Sequence, residues 1–371
     1  MKIAFISTVE GSTWGGSEEL WSQTATRMAS QGFTVAVSVK GWKTEAKQVS
    51  KIEQSNCKVV RRWYPQNRLQ RLAYKLHKPG GFYTFLDDFI PELVIISQGN
   101  ATENDGLGWM EACLVRNIPF AVISHGAAEN FWPPDEFAMR LVKACTAARK
   151  CYFVSQGNLD LIIKQLAVQL KNAKVVTNPF NVSYTVDLPW PPQDKILKLA
   201  CVARLDAAAK GQDILFEVFR SDKWRNRPIE VSLFGSGPNQ KILSNLRQLW
   251  DLDNIKFCGF VTEVETIWQT HHALVLPSRY EGLPLALVEA MLCARPSIVT
   301  DVAGHSEIIE DNVNGFIATA PKAEYFDEAL ERAWQRKDDW YKIGQTAAID
   351  VRRVIPSDPI SVFVDEIKSL I

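Results

Sequence analysis

Short runs rich in Val and Ile recur along the chain and alternate with longer stretches of helical period, the pattern of buried parallel strands joined by crossover helices. In the first half the runs are Lys2 to Ser7, Phe33 to Val39, Lys58 to Val60, Leu93 to Ser97, Phe120 to Ser124, Cys151 to Val154 and Lys174 to Thr177. Helical segments such as Ser17 to Ser30 and Asp135 to Ala148 separate them. Pro189-Trp190-Pro191-Pro192 breaks the alternation and predicts a linker, because proline has no amide donor and its ring blocks the preceding turn. The pattern resumes at Leu197 to Ala203, Glu230 to Phe234, Ile255 to Cys258, Ala273 to Leu276 and Ser297 to Thr300. An α/β fold of two doubly wound parallel sheets follows, with domains at 1–185 and 186–355. A final helix, Ile360 to Leu370 within 356–371, is expected to cross back to the first domain.

Composition narrows the function classes. The 371 residues exceed one ordinary core and suit two domains of roughly 100 to 200 residues. Lys plus Arg and Asp plus Glu both number 42, so no net field draws polyanions and no nucleic-acid partner is expected. The seven cysteines are scattered without a C-x-x-C pair, which suggests neither a zinc site nor a disulfide framework. The apolar opening Met1 to Ile6 stops at Ser7-Thr8, short of a signal-peptide core, and no run of 18 apolar residues follows, so a cytoplasmic location is expected. Lys58 to Lys78 is a local exception to the charge balance, with seven Lys and Arg, no Asp or Glu, and interleaved Trp63, Tyr64, Leu69, Leu72, Tyr74 and Leu76. Such a stretch offers peripheral contact with the inner face of a membrane, although a solvated helix face is the plainer account.

Candidate chemistry clusters where strands end. In Trp14-Gly15-Gly16-Ser17-Glu18 two glycines precede a serine suited to cap the next helix, and open amides at a helix N-terminus form an anion site. An ordinary strand-to-helix turn reads the same way, and neither this pair nor Gly235-Ser236-Gly237-Pro238 fits the G-x-G-x-x-G fingerprint. Arg204 and Lys210-Gly211 follow the first strand of the second half, at the carboxyl edge where open α/β sheets bind ligands. A guanidinium fork and a lysine point charge suit a diphosphate. The string from Pro277 to Met291 turns at Gly282, starts a helix with Pro284 in its first turn, and places Glu281 at a loop tip and Glu289 on the helix. Carboxylates suit sugar and ribose hydroxyls, and first-turn amides such as that of Leu285 suit phosphate oxygens. His125 alone reads as a buried strand-end histidine, while His271, His272 and Asp251-Leu252-Asp253 lack the partners or placement of a metal site.

Together these residues resemble the retaining GT-B glycosyltransferases of family 4. The resemblance rests on Gly15-Gly16, His125-Gly126, Arg204 with Lys210-Gly211, Gly235-Ser236-Gly237-Pro238, Phe257-Cys258-Gly259-Phe260-Val261, the Glu281 to Glu289 string and Gly304-His305-Ser306-Glu307-Ile308-Ile309, in order over most of the chain. It implies two Rossmann-like domains with an interdomain cleft, the first binding the acceptor and the second a nucleotide sugar. It further implies His125, Arg204, Lys210 and Glu281 as catalytic residues and Gly15, Gly16, Gly235, Val261, Gly282, Leu283, Leu285 and Glu289 as donor contacts. No cofactor and no metal are implied, since Arg204 and Lys210 would take the metal's place on the leaving diphosphate. UDP-sugars are the expected donors and GDP-sugars the next, with an unnamed acceptor such as a lipid-linked glycan, a polysaccharide precursor or a small metabolite. Ala203 stands where the family often has glycine, and Asn178-Pro179-Phe180 where Pro-Asn-Gly is usual. Two other readings stay open: a carbohydrate-binding or scaffold protein on a degenerate fold, and a nucleotide-sugar epimerase. The epimerase would need acid and base carboxylates in the first domain, which the sequence does not make evident.

Overall fold

The computed structural model describes residues 1–10, 13–63, 83–192 and 196–371. Two compact units result, one of Met1–Pro179 with Asp358–Ile371 and one of Phe180–Ser357. The first holds seven parallel strands, β1 (Lys2–Ser7), β2 (Thr34–Lys40), β3 (Lys58–Arg62), β4 (Leu93–Gln98), β5 (Phe120–Ser124), β6 (Lys150–Phe153) and β7 (Ala173–Val175), in the order β3-β2-β1-β4-β5-β6-β7. Strand β1 shows why these runs are apolar throughout, since all but Lys2 is buried. Ile3 and Phe5 pack with Trp21 and Met28 of the helix Glu19–Ser30, while Ala4 and Ile6 face the opposite layer with Leu107 and Met110 of the helix Asn104–Val115. Covered on both faces, such a strand loses the polar alternation of an exposed sheet.

The second unit repeats the design with β8 (Leu197–Val202), β9 (Ile229–Phe234), β10 (Ile255–Gly259), β11 (Ala273–Leu276), β12 (Ser297–Thr300) and β13 (Phe316–Ala318), ordered β10-β9-β8-β11-β12-β13 and all parallel. Strand β13, three residues with Ile317 half-buried, is too short for the apolar-run criterion and was not expected.

The chain passes from one unit to the other at Pro179–Phe180, ahead of residue 185. Pro189 to Pro192 therefore lies inside the second unit rather than linking the two. Buried Arg295 donates to the Pro189 carbonyl at 2.7 Å and stacks on Trp190 at 5.1 Å, fixing that stretch against the core. The helix Pro359–Lys368 belongs to the first unit, where Ile360, Phe363, Val364 and Ile367 join the layer of Ile3 and Phe5. Asp358 caps it by accepting from the Ser361 amide at 2.9 Å.

Candidate active site

In each unit the strand order reverses beside the first strand, between β1 and β4 and between β8 and β11, and such reversals open a crevice at the carboxyl edge of the sheet. At the β8 and β11 ends this crevice collects the predicted cations. Arg204 lies just past β8, after Ala203, and donates to Asp206 at 2.6 Å. One helical turn, Ala207–Lys210, then delivers Lys210, whose Nζ meets Glu281 Oε1 at 2.5 Å. The loop after β11 carries Glu281 there because it is docked on that turn. The Arg279 amide donates to the Ala209 carbonyl at 2.8 Å, and its guanidinium forks onto Asp213 with two bonds of 2.7 Å.

Glu281 is buried rather than standing at an exposed loop tip, held by Ser278 Oγ at 2.8 Å as well as by Lys210. A second rank stiffens this arrangement. Thr300 donates to the Ser278 carbonyl at 2.6 Å, and buried His305 shares a 2.6 Å bond with the Thr300 carbonyl through Nδ1. Burial lowers the His305 pKa against the pull of the Glu281 charge. Glu289 sits on the helix Leu285–Leu292 as expected, but buried, and its Oε1 accepts from the Asn181 amide and side chain, both at 2.9 Å. Pro284 takes the position before that helix instead of its first turn, and no side chain caps it. The Leu287 amide turns back to the Pro284 carbonyl at 3.1 Å, so the Leu285 and Ala286 amides lie ahead of the first bond within the helix. Gly282 is half-buried and Leu283 buried just ahead of them, and Val261 packs against the core after β10.

Two glycines of this edge answer to backbone demands. Gly211 has φ 63°, and a Cβ there would fall 1.9 Å from the Pro277 carbonyl oxygen. Gly235, at φ 137°, would place one 2.2 Å from the Ala203 carbonyl oxygen. Neither position admits a side chain, and the close approach holds the β8, β9 and β11 ends together.

The first unit's edge is built differently. Gly15 is extended, at φ −162°, and Gly16 opens a 3-10 turn, Gly16–Glu18, ahead of the helix Glu19–Ser30. Ser17 does not cap that helix, because the extra turn puts Glu18 in the cap position and without a capping bond. His125 follows β5 directly, buried, with Nε2 3.1 Å from Ser97 Oγ, and burial pushes its pKa down to about 3. Its imidazole is therefore neutral at physiological pH.

Residues 197–336 match the family Glycosyl transferases group 1. An uncharacterised glycosyltransferase of Haemophilus influenzae is 23% identical over 89% of each chain. The α-D-kanosaminyltransferase of Streptomyces kanamyceticus is 30% identical, the match covering 34% of this chain and 33% of that protein. Among solved structures, Anabaena HepE in complex with UDP and glucose superposes over 100% of both chains with TM-score 0.76 at 18% identity. The chain is a GT-B glycosyltransferase.

Sequence reading missed part of the transferase's first-unit edge. Glu18 is buried and accepts from Ser7 Oγ at 2.6 Å, and burial raises its pKa from 4.5 to about 7. Glu103 accepts from Thr8 Oγ1 at 2.8 Å and from the Asn100 amide at 2.9 Å, and burial again raises the pKa to about 7. Buried Lys40 meets the Thr8 carbonyl at 2.7 Å, Glu10 at 2.9 Å and Asp105 at 3.2 Å. Carboxyls tuned near neutrality thus exist in the first unit, contrary to expectation. The nearest signal was Glu18 two residues beyond Gly16, but nothing local marks Glu103.

Within the basic segment, Lys58 to Arg62 forms β3. Arg61 pairs with Glu45 at 2.6 Å and Glu53 at 2.7 Å, and Arg62 is buried against Ser38 and Trp109, so these cations serve the fold. Residues 64 to 78 of that segment lie outside the described residues. Among the described residues no group of His, Cys, Asp or Glu could hold a metal ion, and no helix is long and apolar enough to cross a membrane.

Proposed function

We propose that this glycosyltransferase moves a sugar from a nucleoside diphosphate sugar to an acceptor hydroxyl, with retention of configuration and without a metal. The observation that carries the reading is the Lys210–Glu281 pair at the β8–β11 reversal, with Arg204 beside it on the same loop. Negative charge grows on the departing diphosphate, so cations fixed there favour the transition state over the bound ground state. In this reading Arg204 and Lys210 hold the diphosphate, and the amides of Gly282, Leu283 and Leu285 add donors to its oxygens. Glu281 orients donor sugar hydroxyls, Glu289 takes the ribose, and Val261 and Gly235 border the base and phosphates. The family 4 resemblance adds Gly15 and Gly16 of the first unit as backbone donors and His125, neutral and so adding no charge, as a catalytic residue.

Retention follows the family 4 resemblance, in which the leaving phosphate accepts the acceptor's proton on the face it departs from. UDP is the expected nucleotide and GDP the next, a preference supported by the UDP bound to the Anabaena neighbour. A cytoplasmic location belongs to the same reading.

A thermal-shift and donor-hydrolysis screen of UDP-, GDP-, ADP- and TDP-sugars, in EDTA and in Mg²⁺ and without acceptor, tests it. Stabilisation by UDP-sugars with slow hydrolysis in EDTA is expected. Activity only in Mg²⁺ removes the metal-independent mechanism, and release of an epimerised donor would turn the reading toward an epimerase working through Glu18 and Glu103. No stabilisation by any donor would leave a carbohydrate-binding scaffold.

A further inference from the structure

Beyond His125 the chain does not return directly into its next helix. Residues 126–134 form a loop that ends in Phe131, Trp132, Pro133 and Pro134 before the helix Asp135–Ala147. Phe131 and Trp132 stand 50% and 56% exposed, although burying such rings is worth roughly 25 cal/mol per Å². Their exposure does not come from a loose loop. Gln165, buried on the helix Gln156–Leu166, donates to the carbonyls of both Ala128 and Phe131 at 2.9 Å. The Phe131 amide closes onto the Ala128 carbonyl at 3.3 Å, and the Ala101 amide ties the facing turn to Gly126 at 3.0 Å. In that facing turn Asn100 Oδ1 accepts from the amide and hydroxyl of Thr102 at 3.0 and 2.9 Å.

Between the two lips lies a groove of about 490 Å³, lined by Phe131, Trp132 and Phe137 on one side and by Thr102, Asn104 and Glu136 among its polar groups. Its volume is within the usual range for small-ligand clefts. Arg140 also reaches it, but two guanidinium donors are committed to Glu111 at 2.8 and 2.7 Å.

We propose that this groove is the subsite for a neutral saccharide acceptor. The inference rests on the glycosyltransferase reading and adds the class of acceptor to it. A pyranose presents a face of C–H groups that packs on an aromatic ring and an equator of hydroxyls that needs directional partners, and the groove supplies both. Trp132 and Phe131 take the apolar face, while Asn104, Thr102 and Glu136 meet hydroxyls, the amide donating and the carboxylate accepting. A phosphorylated head group would meet the Glu136 carboxylate and an arginine already engaged by Glu111. A hydrocarbon chain would desolvate the polar side without repaying its hydrogen bonds. The rigid loop keeps the rings in place before the sugar arrives, so little ordering opposes binding.

The test is retention of the full chain, with UDP present, on an array of neutral and phosphorylated oligosaccharides, together with binding to vesicles bearing a polyprenyl phosphate. Wild type should be held by neutral saccharides, Trp132→Ala should weaken that binding about tenfold, and Trp132→Phe should restore most of it. Melting curves of both variants confirm that the fold survives. The proposal is overturned if wild type holds no neutral saccharide, if Trp132→Ala binds as tightly as wild type, or if only phosphorylated glycans or polyprenyl vesicles are retained. Donor hydrolysis by the wild type is scored separately, so a failed donor reading with intact saccharide binding is told apart from a failed acceptor site.

Discussion

Two carboxylates, Glu281 and Glu18, are both buried at the carboxyl edge of a sheet beside a strand reversal, yet they have opposite neighbours. Glu281 faces the Lys210 ammonium at 2.5 Å, with Arg279 and Asp213 forming a second ion pair next to it. Glu18 accepts from the Ser7 hydroxyl, faces no ammonium or guanidinium in that bond, and holds its proton up to about pH 7, as does Glu103, while His125 just after β5 is kept neutral. Lys40 with Glu10 and Asp105 adds an ionic cluster to that edge. The lesson is that one strand order serves two kinds of ligand. An edge built of ion pairs can exchange a carboxylate partner for a diphosphate, whereas buried groups held neutral can both donate to and accept from an uncharged hydroxyl without leaving a bare charge behind.

The comparison breaks most readily at Lys210. Replacing it with alanine should lower turnover about 10³-fold in a chain that still folds, with the melting temperature lowered because buried Glu281 loses its ionic partner, and unchanged turnover would remove the second edge from the chemistry. Backbone geometry gives the next largest effect. Gly235→Ala should cost about 4 kcal/mol in urea unfolding, from strain at φ 137° plus the clash with Ala203, whereas Gly15→Ala, at an ordinary extended φ of −162°, should shift stability by less than about 1 kcal/mol. Equal costs would show that the two glycine turns are built alike after all.

Protonation separates the edges further. The unfolded chain releases the Glu18 proton above pH 4.5 and the folded chain only near 7, so the stability this group contributes is full below 4.5 and lost as pH rises through about 7. Glu18→Gln, neutral at every pH, should recover up to about 3 kcal/mol at pH 8 relative to wild type, read from paired urea curves at pH 5 and 8. A pH-independent difference between the two proteins would mean that Glu18 is charged in the folded state. The smallest effect concerns His125. With its pKa near 3, it should add no inflexion to the donor-hydrolysis profile between pH 5 and 8, and a histidine-like step lost in His125→Asn would refute its neutrality.

The same contrast explains what the sequence could reveal. Strands such as β4 and β11 are buried along their whole length and read as apolar runs, whereas β13 is three residues long and does not. The second edge was legible because its residues lie in compact strings whose charges announce themselves, Arg204 to Gly211 and Pro277 to Met291. The first edge was not, because what distinguishes Glu103 is contact with Thr8 across 95 positions and loss of solvent, which no local pattern records. The helix start at Glu19 instead of Ser17, the buried Glu281 and the proline stretch clamped by Arg295 were misread for a related reason. In each, a tertiary partner overrides a sound local preference.

The helix Pro359–Lys368 has a consequence for the order in which the protein can be made. It covers Ile3 and Phe5, yet all of Phe180–Ser357 must be translated before it exists. During synthesis the first sheet therefore waits with one apolar layer open while the second unit, continuous in sequence, can close as soon as it leaves the ribosome. The half of the molecule that begins first is the half that finishes last.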